Sequence, residues 1–100
     1  MNFAIIGATG NVGRTTIKVL EKSKIEIDNL YLVASKKSAG QKLVFKKKEI
    51  IVDELEKYDF SKAEITIFAA GSEIAKKWVP EASKKTIVID NSKHFRMEKE

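Results

Sequence analysis

The sequence predicts an α/β fold, a mostly parallel sheet with helices on both faces, and three observations carry that expectation. Its strand candidates are short, unbroken apolar runs, as in sheets buried on both sides. They alternate with stretches of helical periodicity, and a glycine-punctuated turn joins the first run to the first helix.

Residues 3–6 are apolar and end at Gly7, which reads as a buried parallel strand. From Asn11 to Lys22 the residues Val12, Thr16, Ile17 and Leu20 fall on one side of a helix and polar residues on the other. Asp28 and Asn29 supply turn chemistry before a second buried strand at residues 30–34. Residues 42–45 and 49–52 are rich in β-formers and separated by three lysines, which predicts a small hairpin or edge insertion. Residues 65–69 form the next strand, ending at Ala70-Gly71-Ser72. A helix follows with Ile74, Ala75, Trp78 and Val79 on one face, so Trp78 reads as a core residue. Pro80 is expected at a kink or boundary within that helical stretch, and residues 86–90 make the last strand.

Composition narrows the classes further. A chain of 100 residues with 43% hydrophobic residues supports one small domain, and its single Pro, few Gly and mixed charges argue against disorder. No apolar run approaches the roughly 20 residues that span a bilayer, and the first residues lack the basic region and cleavage site of a secretory signal. We therefore expect a cytoplasmic protein that engages no membrane. Without Cys there is no disulfide, thiolate metal site or thiol nucleophile, and no other metal-ligand pattern is present. The net charge of +5 is spread over Lys36-Lys37, Lys46 to Lys48, Lys76-Lys77 and Lys84-Lys85, the pattern of solvated faces. Few aromatics interleave with these lysines, so no nucleic-acid partner is expected, and an anionic small molecule fits the charge at least as well.

Gly7-Ala8-Thr9-Gly10-Asn11-Val12-Gly13 stands where a dinucleotide pyrophosphate binds, between the first strand and the first helix. Gly7 lets the chain leave the strand in a tight turn, and Gly10 lets the backbone approach a phosphate closely. Gly13 lets the helix pack against the sheet. The amides around Asn11 and Val12 would face the phosphate oxygens at the helix N-terminus, with the Thr9 hydroxyl as a further donor. The spacing G-x-x-G-x-x-G is looser than the G-x-G-x-x-G fingerprint, and its position in a strand-turn-helix unit gives it weight. The fold expected is thus Rossmann-like.

The second strand informs the choice of cofactor. NAD sites commonly carry an acid at its end, where it binds the ribose 2′-OH. Here that strand runs into Ala34-Ser35-Lys36-Lys37-Ser38-Ala39-Gly40, with no acid. Ser35, Lys37 and Ser38 are suited to a 2′-phosphate, which favours NADP.

Together, this turn, residues 34–40, Phe68-Ala69-Ala70-Gly71-Ser72 and Ile89-Asp90-Asn91-Ser92-Lys93-His94-Phe95-Arg96-Met97 resemble the N-terminal domain of the aspartate-semialdehyde dehydrogenase family over nearly the whole chain. The resemblance implies that the chain is the NADP-binding domain, residues 1–100, of a longer enzyme, with the catalytic domain beyond it. It implies a reversible conversion of aspartate 4-semialdehyde, phosphate and NADP to aspartyl 4-phosphate and NADPH, in the biosynthesis of lysine, threonine and methionine. The full-length enzyme is then expected to be a homo-oligomer, such as a homodimer. By the same resemblance Ala70 and Gly71 border the cofactor, and Asn91 and Arg96 bind phosphate or the acyl-phosphate end of the substrate. A guanidinium just past the carboxyl end of a strand suits an oxyanion on physical grounds as well.

The family carries Arg where this chain has Lys37, which keeps the charge but loses the two-pronged grip on phosphate. The family's catalytic thiol and its base, a His, have no counterpart here: there is no Cys, and His94 does not match that base and reads as a loop residue. No catalytic residue is assigned.

Two alternatives stay open, the related N-acetylglutamyl-phosphate reductase and a non-catalytic NADP-binding redox sensor. A short-chain reductase would need a Tyr-x-x-x-Lys pair. Tyr58 and Lys62 have that spacing but precede the third strand, which reads as a chance match in a polar stretch.

Overall fold

The computed structural model describes residues 1–91. Five strands form one parallel sheet: β1 (Asn2–Ile6), β2 (Asn29–Ala34), β5 (Asp53–Glu54), β6 (Ile65–Phe68) and β7 (Ile87–Asp90), in the order β5-β2-β1-β6-β7. Their register is continuous from Phe3 beside Leu30 on one side of β1 to Phe3 beside Ile65 on the other. The α/β, Rossmann-like expectation holds, and the carboxyl ends of all five strands share one rim.

Alternation of side chains along the buried strands divides the core in two. On one face Phe3, Ile5, Leu30, Leu32 and Ile67 pack under helix α1 (Asn11–Lys22), which buries Gly13, Ile17 and Leu20. Val12 and Thr16 are half-buried, and the Thr16 hydroxyl donates to the Val12 carbonyl at 2.8 Å. On the other face Ala4, Ile6, Val33 and Phe68 pack under helix α2 (Ser72–Ala82), with Ala75 and Ala82 buried and Trp78 packed at the margin. Thr66, the buried polar residue of β6, shares a hydrogen bond with the Thr86 hydroxyl at 3.1 Å.

The lysine-separated segments do form an antiparallel hairpin, β3 (Lys42–Phe45) and β4 (Lys48–Ile51), whose Leu43, Phe45 and Ile50 cover the α1 face. Its turn places Lys46 and Lys47 at φ values of 49° and 70°, and the Lys46 amide donates to the Glu21 carboxylate at 2.8 Å. All the lysine clusters named from the sequence are exposed.

Three local readings need correction. Pro80 lies within the helical stretch, as expected, but not at a boundary of it, because α2 runs two residues further to Ala82; the carbonyl deprived of its partner belongs to Lys76, an exposed residue that water can reach. The two-residue strand β5 was not foreseen. The stretch around Tyr58 and Lys62, read as polar, belongs to residues 55–64, which carry the chain from β5 across to β6 on the α2 face through two 3-10 turns, Leu55–Lys57 and Phe60–Lys62. Leu55, Tyr58, Phe60 and Ala63 are buried there, and Phe60 stands edge-on to Tyr58 at 5.4 Å and 6.1 Å from Trp78. These aromatics do the covering that a crossover helix would otherwise do.

Candidate functional site

The site begins where β1 ends. At Gly7 the backbone turns to φ +87°, a left-handed conformation that favours glycine, and a Cβ there would lie 2.6 Å from that of Ala70. Gly7 and Ala8 both donate to the Val33 carbonyl, at 2.7 and 3.1 Å, tying the turn to the end of β2. Gly13 serves the turn itself rather than the sheet, because a Cβ on it would run into the Gly7 carbonyl and approach the Ala8 Cα to 2.7 Å. Gly10 is different. It begins α1 with φ −80°, and a Cβ there would meet only the Gly7 carbonyl, at an ordinary 3.6 Å. The protein itself does not require glycine at position 10, which is what a surface kept free for a ligand would show.

Gly10 gives α1 no side-chain cap, and no acid stands in the first turn. The amides of Asn11, Val12 and Gly13 meet no acceptor among the described residues, so the positive end of the helix dipole is open to an anion. The Val12 side chain packs into the core, and the Thr15 hydroxyl donates to the Asn11 carbonyl at 2.9 Å, leaving the amides as the contribution of these positions.

A groove of about 250 Å³ opens beside the turn, lined by Gly7, Thr9, Gly10, Ser35 and Ala70 from the sequence reading. Ile6, Ala34, Leu55, Ala69 and Ile74 complete its apolar walls. It lies at the carboxyl ends of β1, β2 and β6, where the strand order reverses and ligands bind in open α/β sheets. Leu55 and Ile74 were missed as site residues. Leu55 follows a strand too short to announce itself, whereas Ile74, one turn after Ala70, could have been found from the helix phase.

After Ala34 the chain makes a single turn in which Ser38 and Ala39 both donate to the Ser35 carbonyl, at 2.9 and 3.0 Å. Ser35, Lys36 and Lys37 are exposed, Ser38 is half-buried, and the amides of Lys36 and Lys37 meet no acceptor among the described residues. Lys37 and Ser38 lie outside the groove lining, beyond the Ser35 end. The acid opposite Ala34 in the sheet, Glu54, has Lys57 as counterion at 4.0 Å.

Gly71 opens α2, its carbonyl accepting from Ala75 at 3.1 Å, and does not line the groove. Asn91 follows β7 on the same rim, two strands from β1. Arg96 and His94 lie outside the described residues. Tyr58 and Lys62 do not form a catalytic pair: the Tyr58 hydroxyl is buried, and the Lys62 ammonium lies 6.0 Å from the Tyr31 ring centre. Sequence reasoning also passed over Arg14, whose Nε–H donates to the Thr9 carbonyl at 2.9 Å.

A parallel sheet of this order with a glycine turn at its reversal point is the architecture of dinucleotide-binding domains. The chain belongs to the semialdehyde dehydrogenase NAD-binding domain family, whose model matches residues 2–100. It is 43% identical over 96 residues to aspartate-semialdehyde dehydrogenase 2 of Vibrio cholerae, covering 95% of this chain and 28% of that protein. It is 46% identical over 97 residues to the aspartate-semialdehyde dehydrogenase of Aquifex aeolicus, covering 95% of this chain and 28% of the relative. The crystal structure of the Vibrio cholerae aspartate semialdehyde dehydrogenase II, complexed with ASA, superposes with a TM-score of 0.88 at 43% identity, over 95% of this chain and 31% of that one. The chain thus spans under a third of the length of these relatives.

Proposed function

We propose that this chain is the NADP-binding portion of an aspartate-semialdehyde dehydrogenase, which converts aspartate 4-semialdehyde, phosphate and NADP to aspartyl 4-phosphate and NADPH reversibly. The observation that carries the reading is the glycine turn, whose position 10 has room for a side chain that the protein does not use, above three amides without acceptors. NADP supplies hydride transfer in this chemistry. The chain's own part is to hold and orient it.

In this reading the amides of Asn11, Val12 and Gly13 bind the pyrophosphate and the Thr9 hydroxyl adds a donor. Gly7, Gly10 and Ala70 of the groove border the dinucleotide, with Gly71 next to Ala70 just outside the lining, and Leu55 and Ile74 form the apolar wall beside its adenosine half. Ser35, Lys37 and Ser38 take the 2′-phosphate, since β2 itself ends without an acid and Glu54, beside its last residue, has Lys57 as counterion. Asn91 and Arg96 bind phosphate or the acyl-phosphate end of the substrate. The thiol nucleophile and its base belong to the rest of the enzyme. Full-length protein is a cytoplasmic homo-oligomer, engages neither nucleic acid nor membrane, and serves lysine, threonine and methionine biosynthesis. The relatives' names favour this reading over the reductase and sensor alternatives.

Calorimetric titration of the chain with NADP+ and NAD+ tests it. NADP+ should bind more tightly, and Lys37→Ala should cost about fivefold in NADP+ affinity, roughly one exposed ion pair, with NAD+ little changed. Equal affinity for the two cofactors would contradict the assignment of residues 35–38.

A further inference from the structure

We propose that Arg14 is a specificity-determining residue of the cofactor site, a guanidinium that joins residues 35–38 in gripping the 2′-phosphate. The inference rests on the NADP reading above.

The chain takes its positive charge almost wholly from lysine: it has seventeen lysines and only two arginines. One of the two stands in the opening turn of α1, where a cation opposes the helix dipole and no acid offsets it. Such a placement is unfavourable for the helix alone and favourable once an anion arrives.

The side chain is also held in place. Its Nε–H donates to the Thr9 carbonyl at 2.9 Å, which fixes the plane of the guanidinium against the glycine turn. The N–H groups of its two terminal nitrogens meet no acceptor among the described residues, and no carboxylate pairs with it. Glu21 lines the same cavity between α1 and the hairpin but accepts the Lys46 amide at 2.8 Å. Thr9, the anchor, shares the groove with Ser35, which opens the lysine loop. The cavity that Arg14 borders with Leu43 and Val44 faces the hairpin into which that loop runs. Arg14 thus has two neighbours in common with residues 35–40, the glycine turn through Thr9 and the hairpin through Leu43.

A guanidinium can hold two phosphate oxygens at once, which the point charge of Lys37 cannot. NAD presents a hydroxyl at that position, and a hydroxyl draws no comparable gain from the fork. Arg14 should consequently act on the choice between cofactors more than on dinucleotide binding as a whole.

The test compares dissociation constants for NADP+, NAD+ and 2′,5′-ADP in the wild-type chain, Arg14→Gln and Arg14→Lys, with thermal unfolding followed by circular dichroism. Arg14→Gln should weaken NADP+ and 2′,5′-ADP about tenfold and leave NAD+ within about twofold. Arg14→Lys retains a donor for the Thr9 carbonyl and should lose about threefold in NADP+ affinity, the fork alone being removed. If Arg14→Gln weakens both cofactors equally, the residue merely braces the turn and the inference is overturned; unchanged binding of both overturns it too. Should Arg14→Gln unfold, Arg14→Lys decides, and an unaltered cofactor ratio in it overturns the inference. A wild-type chain without NADP+ preference would show a different failure, that of the underlying NADP reading, and the role of Arg14 would fall with it.

Discussion

Gly10 and Gly13 look alike in the sequence and separate cleanly in the structure. A Cβ at Gly13 collides with the backbone of the turn, whereas one at Gly10 fits. Gly13→Ala should therefore destabilise the fold by about 1–3 kcal/mol, as overpacking does. Gly10→Val should leave the unfolding transition nearly unchanged and abolish cofactor binding, because its isopropyl group occupies the phosphate's approach. Thermal unfolding and titration of the two variants, side by side, check this contrast. Tyr58 makes another residue-scale prediction. Its hydroxyl is buried without a partner in the described structure, and burial first, then the nearby Tyr31, Asp53 and Asp59, raises its pKa beyond the usual tyrosine range. Tyr58→Phe removes an unsatisfied polar atom and keeps the ring contacts, so it should be neutral or stabilise by up to about 1 kcal/mol. A clear loss in urea unfolding would show that the hydroxyl has a partner. Asp59 titrates low because it accepts hydrogen bonds from the Ser61 hydroxyl and amide. This contribution to stability is present above the ordinary carboxylate pKa and is lost as pH falls through the lowered value. Ser61→Ala should move the Asp59 titration, followed by NMR, back toward the ordinary range.

At the scale of elements, the hairpin turn is the place where local preference and structure disagree. Lys46 and Lys47 both occupy positive φ, where Asn-Gly would be at ease. Lys47→Gly should stabilise the chain by about 0.5–1 kcal/mol, the relief of left-handed strain less the added freedom of the unfolded chain. Urea unfolding measures it, and a destabilised variant would mean that the turn is built otherwise. The same hairpin shows how much the sequence could disclose. Its β-formers and the lysine break revealed the pair of strands, and apolar runs revealed β1, β2 and β6, because burial on both faces leaves a contiguous hydrophobic signature; β7 showed the same apolar run although Ile87 and Ile89 are exposed. β5 has only Asp53 and Glu54, too short for any period, so both it and Leu55 beyond it stayed hidden. Tyr58 and Phe60 were concealed among charged neighbours. The glycine turn was legible from its spacing between a strand and a helix, and two of its glycines, Gly7 and Gly13, meet steric demands of the protein itself. Arg14 was not, since a charged residue on a polar helix face gives no sign of which way its side chain folds.

For the molecule as a whole, no described helix is long and apolar enough to cross a membrane. The edge strand β7 leaves Ile87 and Ile89 exposed by 64% and 44% on the α1 face. The chain matches under a third of its relatives' length and carries no Cys. It should accordingly show no NADPH-dependent reduction of aspartyl phosphate by itself, even with added thiols, since a free thiol cannot be positioned against the substrate and nicotinamide. Turnover by these 100 residues would place the chemistry within them. Under the proposed function, Arg96→Ala in an enzyme that contains this chain should impair use of aspartyl phosphate by about tenfold or more, as for loss of a charge-assisted contact, while NADP binding holds.

In the proposed function the dinucleotide lies on the glycine turn at the carboxyl rim of the sheet. Amide chemical-shift mapping during an NADP+ titration of the 15N-labelled chain tests it most directly. The largest shifts are expected at residues 7–14, 35–38, 55 and 70–74, with residues 35–38 responding far less to NAD+. Shifts centred instead on the cavity between the hairpin and β2, around Phe45 and Ile50, or a glycine turn that does not respond, would contradict it.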